Sequence, residues 1–356
     1  MKGLVLSGGM GTRLRPFSHS MPKQLVPVAN KPVLVHCLEN LREAGVTEVC
    51  VIVGDRGDDI RSAVAARDDL GLTLTYVHQP VPLGLAHCVT LARDFLGDDD
   101  FVMYLGDNVL VGGITGLAET FRQYRPAAQL ALTKVHNPEE YGVAELNVDG
   151  GVVRLVEKPA HPRSDLAVIG VYFFTPAIHT AIAHITPSWR NELEITDALQ
   201  WLVENGAPVR GERFDGYWKD TGRVEDLLEC NQHLLEATGG QIAGAVDTQS
   251  HLVGPVDLAE GARVVRSRIV GPVVIGADTV VEDSFIGPYT AVGAGCVVSQ
   301  SGLEYSILLD GAGVRGISGV YGSLIGRSAE VGRGGVVAGR HHRLILGDHT
   351  RVEIAA

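Results

Sequence analysis

Positive charge is scarce in this chain: 30 Lys and Arg stand against 42 Asp and Glu, a formal net charge of −12 with a pI near 5.5. Nucleic acids and anionic membrane surfaces select an excess of basic side chains, so neither is an expected partner. Cysteine is sparse as well. The five (Cys37, Cys50, Cys88, Cys230 and Cys296) lie far apart in apolar segments with no CxxC pair, which fits reduced core residues rather than a disulfide framework. Long hydrophobic runs are missing: no stretch approaches the ~18 apolar residues of a membrane span, and the opening run is too short for a secretory h-region, so a cytoplasmic protein is expected. Aromatics make up only 6% of the chain, but 45% of its 356 residues are hydrophobic. That supports a substantial core in two domains.

The first two thirds of the chain alternate β-branched runs with amphipathic stretches, the rhythm of a parallel sheet covered by helices. Strands are predicted from Gly3 to Ser7, Glu48 to Gly54, Leu72 to Gln79, Phe101 to Leu105 and Gly170 to Thr175. Helices are predicted from Pro32 to Ala44, Ile195 to Glu204 and Val224 to Leu235, the last ending before Thr238-Gly239-Gly240. Helical apolar spacing and terminal Pro and Gly signals support the first of them. From about Val253 the texture changes to aliphatic-glycine pairs such as Val270-Gly271, Ile275-Gly276, Ile286-Gly287 and Val292-Gly293, recurring nearly every six residues. Leu258, Val264, Val270, Ile275, Val281, Ile286, Val292 and Val298 would then point into a left-handed parallel β-helix. The expected fold class is α/β, a Rossmann-like, mixed and mostly parallel sheet over residues 1–238, followed by a left-handed β-helix over 251–356.

Chemistry concentrates after the first strand, in Leu6-Ser7-Gly8-Gly9-Met10-Gly11-Thr12-Arg13-Leu14-Arg15-Pro16. Glycines there let backbone amides approach phosphate oxygens. Leu14 stands where a Rossmann loop needs its third glycine, and the Gly-Lys-Ser/Thr of a Walker A loop is absent. Arg13, Arg15, Lys23 and Lys31 cluster nearby in an otherwise acidic chain, as fixed charge for a polyphosphate would.

GGMGTRLRP followed by PKQLVPVANKP, VHQPVPLGLA, YLGDN, EEYGVAEL, LVEKP, NELEIT and WKDTG resembles the sugar nucleotidyltransferase family. Within it the series is similar to the glucose-1-phosphate thymidylyltransferases, and the glycine-rich coil resembles the β-helix of their longer members. The resemblance covers roughly residues 1 to 235 and the coil beyond. It implies Mg²⁺-dependent in-line transfer of a nucleotidyl group from a nucleoside triphosphate, with dTTP favoured, to glucose 1-phosphate. Carried over residue by residue, it implies that Leu6, Gly8, Gly9, Gly11 and Thr12 surround the triphosphate, and that Gln79 and Gly84 meet the base. Arg13 and Lys23 stabilise charge at the transferred phosphorus. The resemblance makes Asp107 and Asp220 the expected metal pair. Tyr141, Gly142, Glu157, Lys158, Val168 and Trp218 contact the sugar phosphate, and Glu192 is either an ordering residue or an exposed acid. Ser7, where the family usually carries alanine, and Leu83, where short members often carry Asp, depart from the pattern beside the nucleotide.

Other readings stay open. The same chemistry could serve another sugar or cyclitol 1-phosphate with UTP or GTP. A catalytically silent regulatory or assembly subunit is a different class, although the charged set Arg13, Lys23, Asp107, Lys158 and Asp220 is retained. His341 and His342, in a segment from Arg333 to Arg343 that looks like a loop over the coil, could support acyl transfer. Homo-oligomerisation through the coil is expected, and an allosteric site for the end product has no visible signature.

Overall fold

The structure, a computed structural model, describes residues 1–9, 11–67, 69–333 and 344–354. His341 and His342 lie outside them. By compactness the chain divides into two units: Met1–Met10 with Leu34–Lys219, and Gly11–Val33 with Asp220–Ala356.

In the first unit, nine strands form one sheet. They are β1 (Lys2–Ser7), β2 (Glu48–Val53), β3 (Thr73–His78), β4 (Phe101–Leu105), β5 (Ala128–Lys134), β6 (Gly142–Leu146), β7 (Val152–Glu157), β8 (Leu166–Phe174) and β9 (Val209–Arg213). Their order is β7-β6-β8-β4-β1-β2-β3, with β5 pairing β8 and β9. Strands β4, β1, β2 and β3 run parallel, whereas β8 is antiparallel to β4, β5 and β6. Strands β1, β2 and β4 are continuous apolar runs because both of their faces are covered: Leu4, Val5, Val49 to Ile52 and Phe101 to Met103 are wholly buried, whereas β3, at the end of the strand order, is partly exposed throughout. The helices Val33–Glu43 (α1), Leu85–Leu91 (α2), Thr115–Tyr124 (α3) and Ile195–Glu204 (α4) accompany this sheet. Ala86, Val89, Ala198 and Leu199 from α2 and α4 join Leu4, Ile52, Met103 and Leu130 in one core.

Strand β8 starts at Leu166, ahead of the predicted Gly170. Gly170 lies mid-strand at φ 74°, where the register against β5 shifts between Val168 and Tyr172. A glycine in the left-handed region marks a bulge here rather than a strand start. A Cβ on it would stand 2.9 Å from the Leu105 side chain, at the end of β4.

In the second unit, helix α5 (Val224–Leu235) precedes three parallel sheets of seven, five and six short strands, consistent with a left-handed β-helix. Val264, Val281, Val298, Val314, Val331 and Val352 align in successive coils along one face. Leu258, Val264, Ile275, Val281, Ile286, Val292 and Val298 are buried as expected, but Ile269 takes the interior place assigned to Val270. The step from Val264 is five residues and the next is six, so a strict count of six lands one residue late. Because alternate strand residues face opposite ways, one residue decides inside from outside.

Serines close the coil corners. The backbone N–H of Ser267 donates to Ser250 Oγ (3.0 Å), that of Ser284 to Ser267 Oγ (3.0 Å) and that of Ser301 to Ser284 Oγ (3.1 Å). The Ser250 hydroxyl in turn donates to the Asp247 carboxylate, and those of Ser267 and Ser284 donate to the Val265 and Glu282 carbonyls, each at 2.7 Å. Buried corner amides are thus satisfied without water.

Candidate active site

The C-terminal ends of parallel strands are where an open α/β sheet presents its crevice. Ser7 ends β1, Gln79 follows β3, and Asp107 follows β4. Gln79 is buried and held in place: its N–H donates to the Val53 carbonyl (2.8 Å) and its Nε2 lies 3.0 Å from His87 Nδ1. Its Oε1 would stand 3.2 Å from a Cβ at Gly8. The first unit therefore brings these two nucleotide candidates together, and a side chain at Gly8 would press on the amide. Gly9 is exposed. The Leu6 side chain belongs to the core, and its carbonyl accepts from Gly106 N–H at 2.9 Å. Gly84 has φ 101°, and a Cβ there would lie 2.5 Å from the Leu193 carbonyl oxygen. Packing against the backbone of Leu193 is enough to demand glycine at this position.

The sugar candidates converge on the paired ends of β6 and β7, where Gly142 lies opposite Glu157. A Cβ at Gly142 would stand 3.1 Å from Glu157 Oε2 and 3.8 Å from Val168 Cγ2. Lys158 follows in a left-handed conformation (φ 41°), its N–H donating to the Tyr141 carbonyl at 3.0 Å. Strained backbone of this kind persists where the surroundings hold it. The Tyr141 ring meets Trp218 edge-on at 5.4 Å. Trp218 Nε1 donates to Asn108 Oδ1 (2.7 Å), and Asn108 Nδ2 donates to Asp107 Oδ1 (2.9 Å). A continuous chain therefore links the aromatic wall to one candidate metal ligand.

Beneath this cluster lie residues that sequence reasoning did not assign. Arg190 Nη1 is 3.3 Å from Glu194 Oε1 and 3.8 Å from Glu157 Oε1, and its Nη2 is 3.1 Å from Glu192. Glu194, 5% exposed, is the buried acid, whereas Glu192 sits further out. Ser188 and Arg190 both donate to Glu194, and Thr196 donates to Glu157 at 3.3 Å. Burial, and then the charge of Glu194, push the Glu157 carboxyl above its usual range against the pull of Lys158 and Arg190. Glu192 and Glu194 both stand within NELEIT, and no periodicity distinguishes one from the other.

In the second unit, Thr12–Leu14 and Lys23–Leu25 are single 3₁₀ turns. A Cβ at Gly11 would lie 2.9 Å from Lys23 Cβ, so the Lys23 stem packs on that glycine. The Arg13 guanidinium is 3.7 Å from Asp220 Oδ2, and a Cβ at Gly222 would stand 3.0 Å from its Nη2. Arg13 stays 57% exposed, and Thr12 is exposed beside it. The two carboxylates proposed for a cation are hard oxygen donors, the type Mg²⁺ takes when phosphate and water complete its shell. By contrast, burial pushes the thiols of Cys50 and Cys296 up to about 11 and that of Cys88 to about 12. These are the reverse of activated nucleophiles.

A family model described as nucleotidyl transferase matches residues 2–237. The chain belongs to the nucleotidyl transferase family. It is 53% identical over 356 residues, all of both chains, to a glucose-1-phosphate thymidylyltransferase of Streptomyces griseus. A second enzyme of that name, from Streptomyces antibioticus, is 54% identical over 99% of both chains. Among solved structures, a UDP-glucose pyrophosphorylase complexed with UDP-glucose superposes with a TM-score of 0.61 at 25% identity, covering 66% of this chain and 98% of that one. Among the described residues, no helix is long and apolar enough to cross a membrane.

Proposed function

We propose that this chain is a glucose-1-phosphate thymidylyltransferase, condensing dTTP with glucose 1-phosphate to give dTDP-glucose and pyrophosphate. The observation that carries this reading is the identity of more than half to two thymidylyltransferases along the whole chain, coil included. The clustering of the sugar candidates within the first unit supports it independently.

In the proposed reaction a phosphate oxygen of the sugar phosphate attacks the α-phosphorus of the nucleotide in line. The new P–O bond forms as the bond to the β-phosphate oxygen breaks, and pyrophosphate leaves. No covalent enzyme intermediate is needed, because the sugar phosphate is already a competent nucleophile. The amides of Gly8, Gly9 and Gly11 donate to the triphosphate, while Arg13 and Lys23 offset charge that grows in the transition state. Lys158 holds the sugar phosphate, Glu157 accepts from sugar hydroxyls, and Tyr141 and Trp218 wall the ring. Gln79, already fixed by His87, offers a donor and an acceptor to a pyrimidine edge. Asp107 and Asp220 would hold Mg²⁺, which when bound neutralises phosphate oxygens. The reading includes a cytoplasmic location and self-association through the coil.

The test is pyrophosphate release with Mg²⁺ across dTTP, UTP, GTP, ATP and CTP against glucose 1-phosphate and other sugar or cyclitol phosphates. Fastest release with dTTP and glucose 1-phosphate is expected. Preference for another pair moves the substrate assignment but keeps the chemistry, and no release with any pair overturns the enzyme reading. Asp107→Asn and Asp220→Asn should each lower kcat severely with the fold intact; unchanged turnover in both removes the metal assignment.

A further inference from the structure

The segment Gly11–Val33 carries Arg13 and Lys23, and its contacts within the second unit show what holds it. Its C-terminal end is a hairpin with a two-residue turn, Pro27–Val28 paired antiparallel with Lys31–Pro32. The turn residues Ala29 (φ 48°) and Asn30 (φ 60°) are both left-handed, the geometry of a type I′ turn. Asparagine tolerates that conformation, whereas alanine adopts it only under strain. A strained alanine needs a partner to keep it there.

The partner is Asn231 on helix α5, a residue with 0% exposure. Its Oδ1 accepts from Ala29 N–H at 2.8 Å, and its Nδ2 donates to the Tyr289 carbonyl of the coil at 2.9 Å. One buried amide therefore bridges hairpin and coil. Beside it, Asn30 Nδ2 donates to the Val292 carbonyl, again on the coil, at 2.6 Å. At the other end of the segment, a Cβ at Gly347 would stand 3.2 Å from Pro16 Cβ, so a later turn of the coil lies against the residue three beyond Arg13. Between these ties the backbone is short and hydrogen-bonded, with Leu25 N–H to the Pro22 carbonyl and Val26 N–H to the Lys23 carbonyl. Only three residues separate Lys23 from the hairpin strand.

We propose that the β-helix is the anchor of the catalytic segment, with Asn231 and Asn30 as positioning residues that set Arg13 and Lys23 for transfer. This rests on the function proposed above, and it gives the coil a role in turnover beyond self-association. Removing the Asn231 amide frees two buried groups at once and leaves Ala29 strained, so the hairpin opens from the coil more often. The segment then samples positions in which its cations miss the phosphates. Substrate groups held by the first unit are untouched, so the loss should appear in kcat and not in KM for the sugar phosphate.

The experiment compares the full-length protein with Asn231→Ala, Asn30→Gly and the coil-corner variant Ser284→Ala. Hydrogen exchange of peptides spanning residues 11–33, thermal melting, kcat and KM are measured on each. Asn30→Gly keeps a left-handed turn and deletes only the bond to Val292, so it folds even if Asn231→Ala does not. For Asn231→Ala the expected result is an increase of about tenfold or more in exchange across the hairpin, matching the loss of one to two buried hydrogen bonds. A parallel fall in kcat and a sugar phosphate KM within about twofold of the parent complete the pattern. Asn30→Gly should show the same pattern more weakly. Ser284→Ala should melt earlier with exchange at 11–33 and kcat unchanged. Hairpin exchange unchanged in both asparagine variants, or kcat falling equally in Ser284→Ala, overturns the proposal. If the parent itself turns over no substrate pair, the functional reading fails while the exchange data still report whether the coil anchors the segment.

Discussion

Replacing Gly222 with alanine would place a methyl group 3.0 Å from Arg13 Nη2, 3.1 Å from its Cζ and 3.3 Å from its Nη1. Unstrained heavy-atom contacts to carbon lie near ~3.5–4.0 Å, so the guanidinium must retreat by roughly 0.5 Å or swing off the glycine. Movement is cheap for the fold, because the side chain is 57% exposed and its ion pair to Asp220 is already long at 3.7 Å. Stability should therefore change by no more than about 0.5 kcal/mol. Turnover is another matter. A charge that stabilises a transition state acts through its position, and a displacement of ~1 Å can cost about 100-fold. For half that movement a fall in kcat on the order of 10-fold is expected, about 1.4 kcal/mol in the barrier. Pyrophosphate release and thermal melting on the same preparation measure both quantities. A double-mutant cycle isolates the cause: in an Arg13→Ala background, Gly222→Ala should add nothing. A kcat within twofold of the parent, or full additivity in the cycle, would refute the idea that Gly222 exists to seat Arg13.

Glu157→Gln tests the buried acid cluster. A carboxyl raised in the folded state contributes stability below its unfolded pKa and loses it as pH rises through the folded value. The glutamine variant should therefore melt above the parent at pH 7, with the difference vanishing below about pH 4; a gap that is constant with pH would remove the assignment. The variant should also raise KM for the sugar phosphate, measured in the same release assay. Ser284→Ala deletes the acceptor of the Ser301 N–H and should cost about 1–3 kcal/mol by chemical denaturation. Coil register is checked by a pair of alanine variants: Ile269→Ala should cost about 2–5 kcal/mol and Val270→Ala much less. The reverse order would restore the strict count of six.

Strands β1, β2 and β4 were legible because burial on both faces writes itself as unbroken apolar runs, and the predicted helix spans Ile195 to Glu204 and Val224 to Leu235 coincide with α4 and α5. Strands β5, β6, β7 and β9, beyond the run of parallel strands that holds β1, went unread. Strands β6, β7 and β9 are short, partly exposed and carry mixed residues such as Val152-Val153-Arg154-Leu155, whereas β5 is buried from Ala128 to Leu132; the partners of all four are chosen by tertiary packing rather than by local pattern. Site residues divide the same way. Gly8, Asp107, Lys158 and Trp218 stand out because their residue types are costly or unusual in their settings. Arg190 and Glu194 do not, because an acid and a base near a helix start are ordinary until the fold buries one of them.

The same limit explains where the chain divides. The first domain is expected to end at residue 238, the aliphatic-glycine texture begins at about Val253, and the family match ends at 237. Contact density instead groups Gly11–Val33 and α5 with the coil. Both can hold, because texture reports what each segment buries and not what it is buried against. Asn30 and Asn231 make the point at the level of single residues. One is a turn asparagine and the other a polar residue on a Leu-rich helix, and each has an adequate local explanation. Only when Oδ1 of Asn231 is seen on Ala29, and its Nδ2 on Tyr289, does a strained alanine acquire a cause. A buried amide that satisfies both of its ends across three segments over-determines their arrangement, and this is the physical condition for holding two cationic side chains to within a fraction of an ångström.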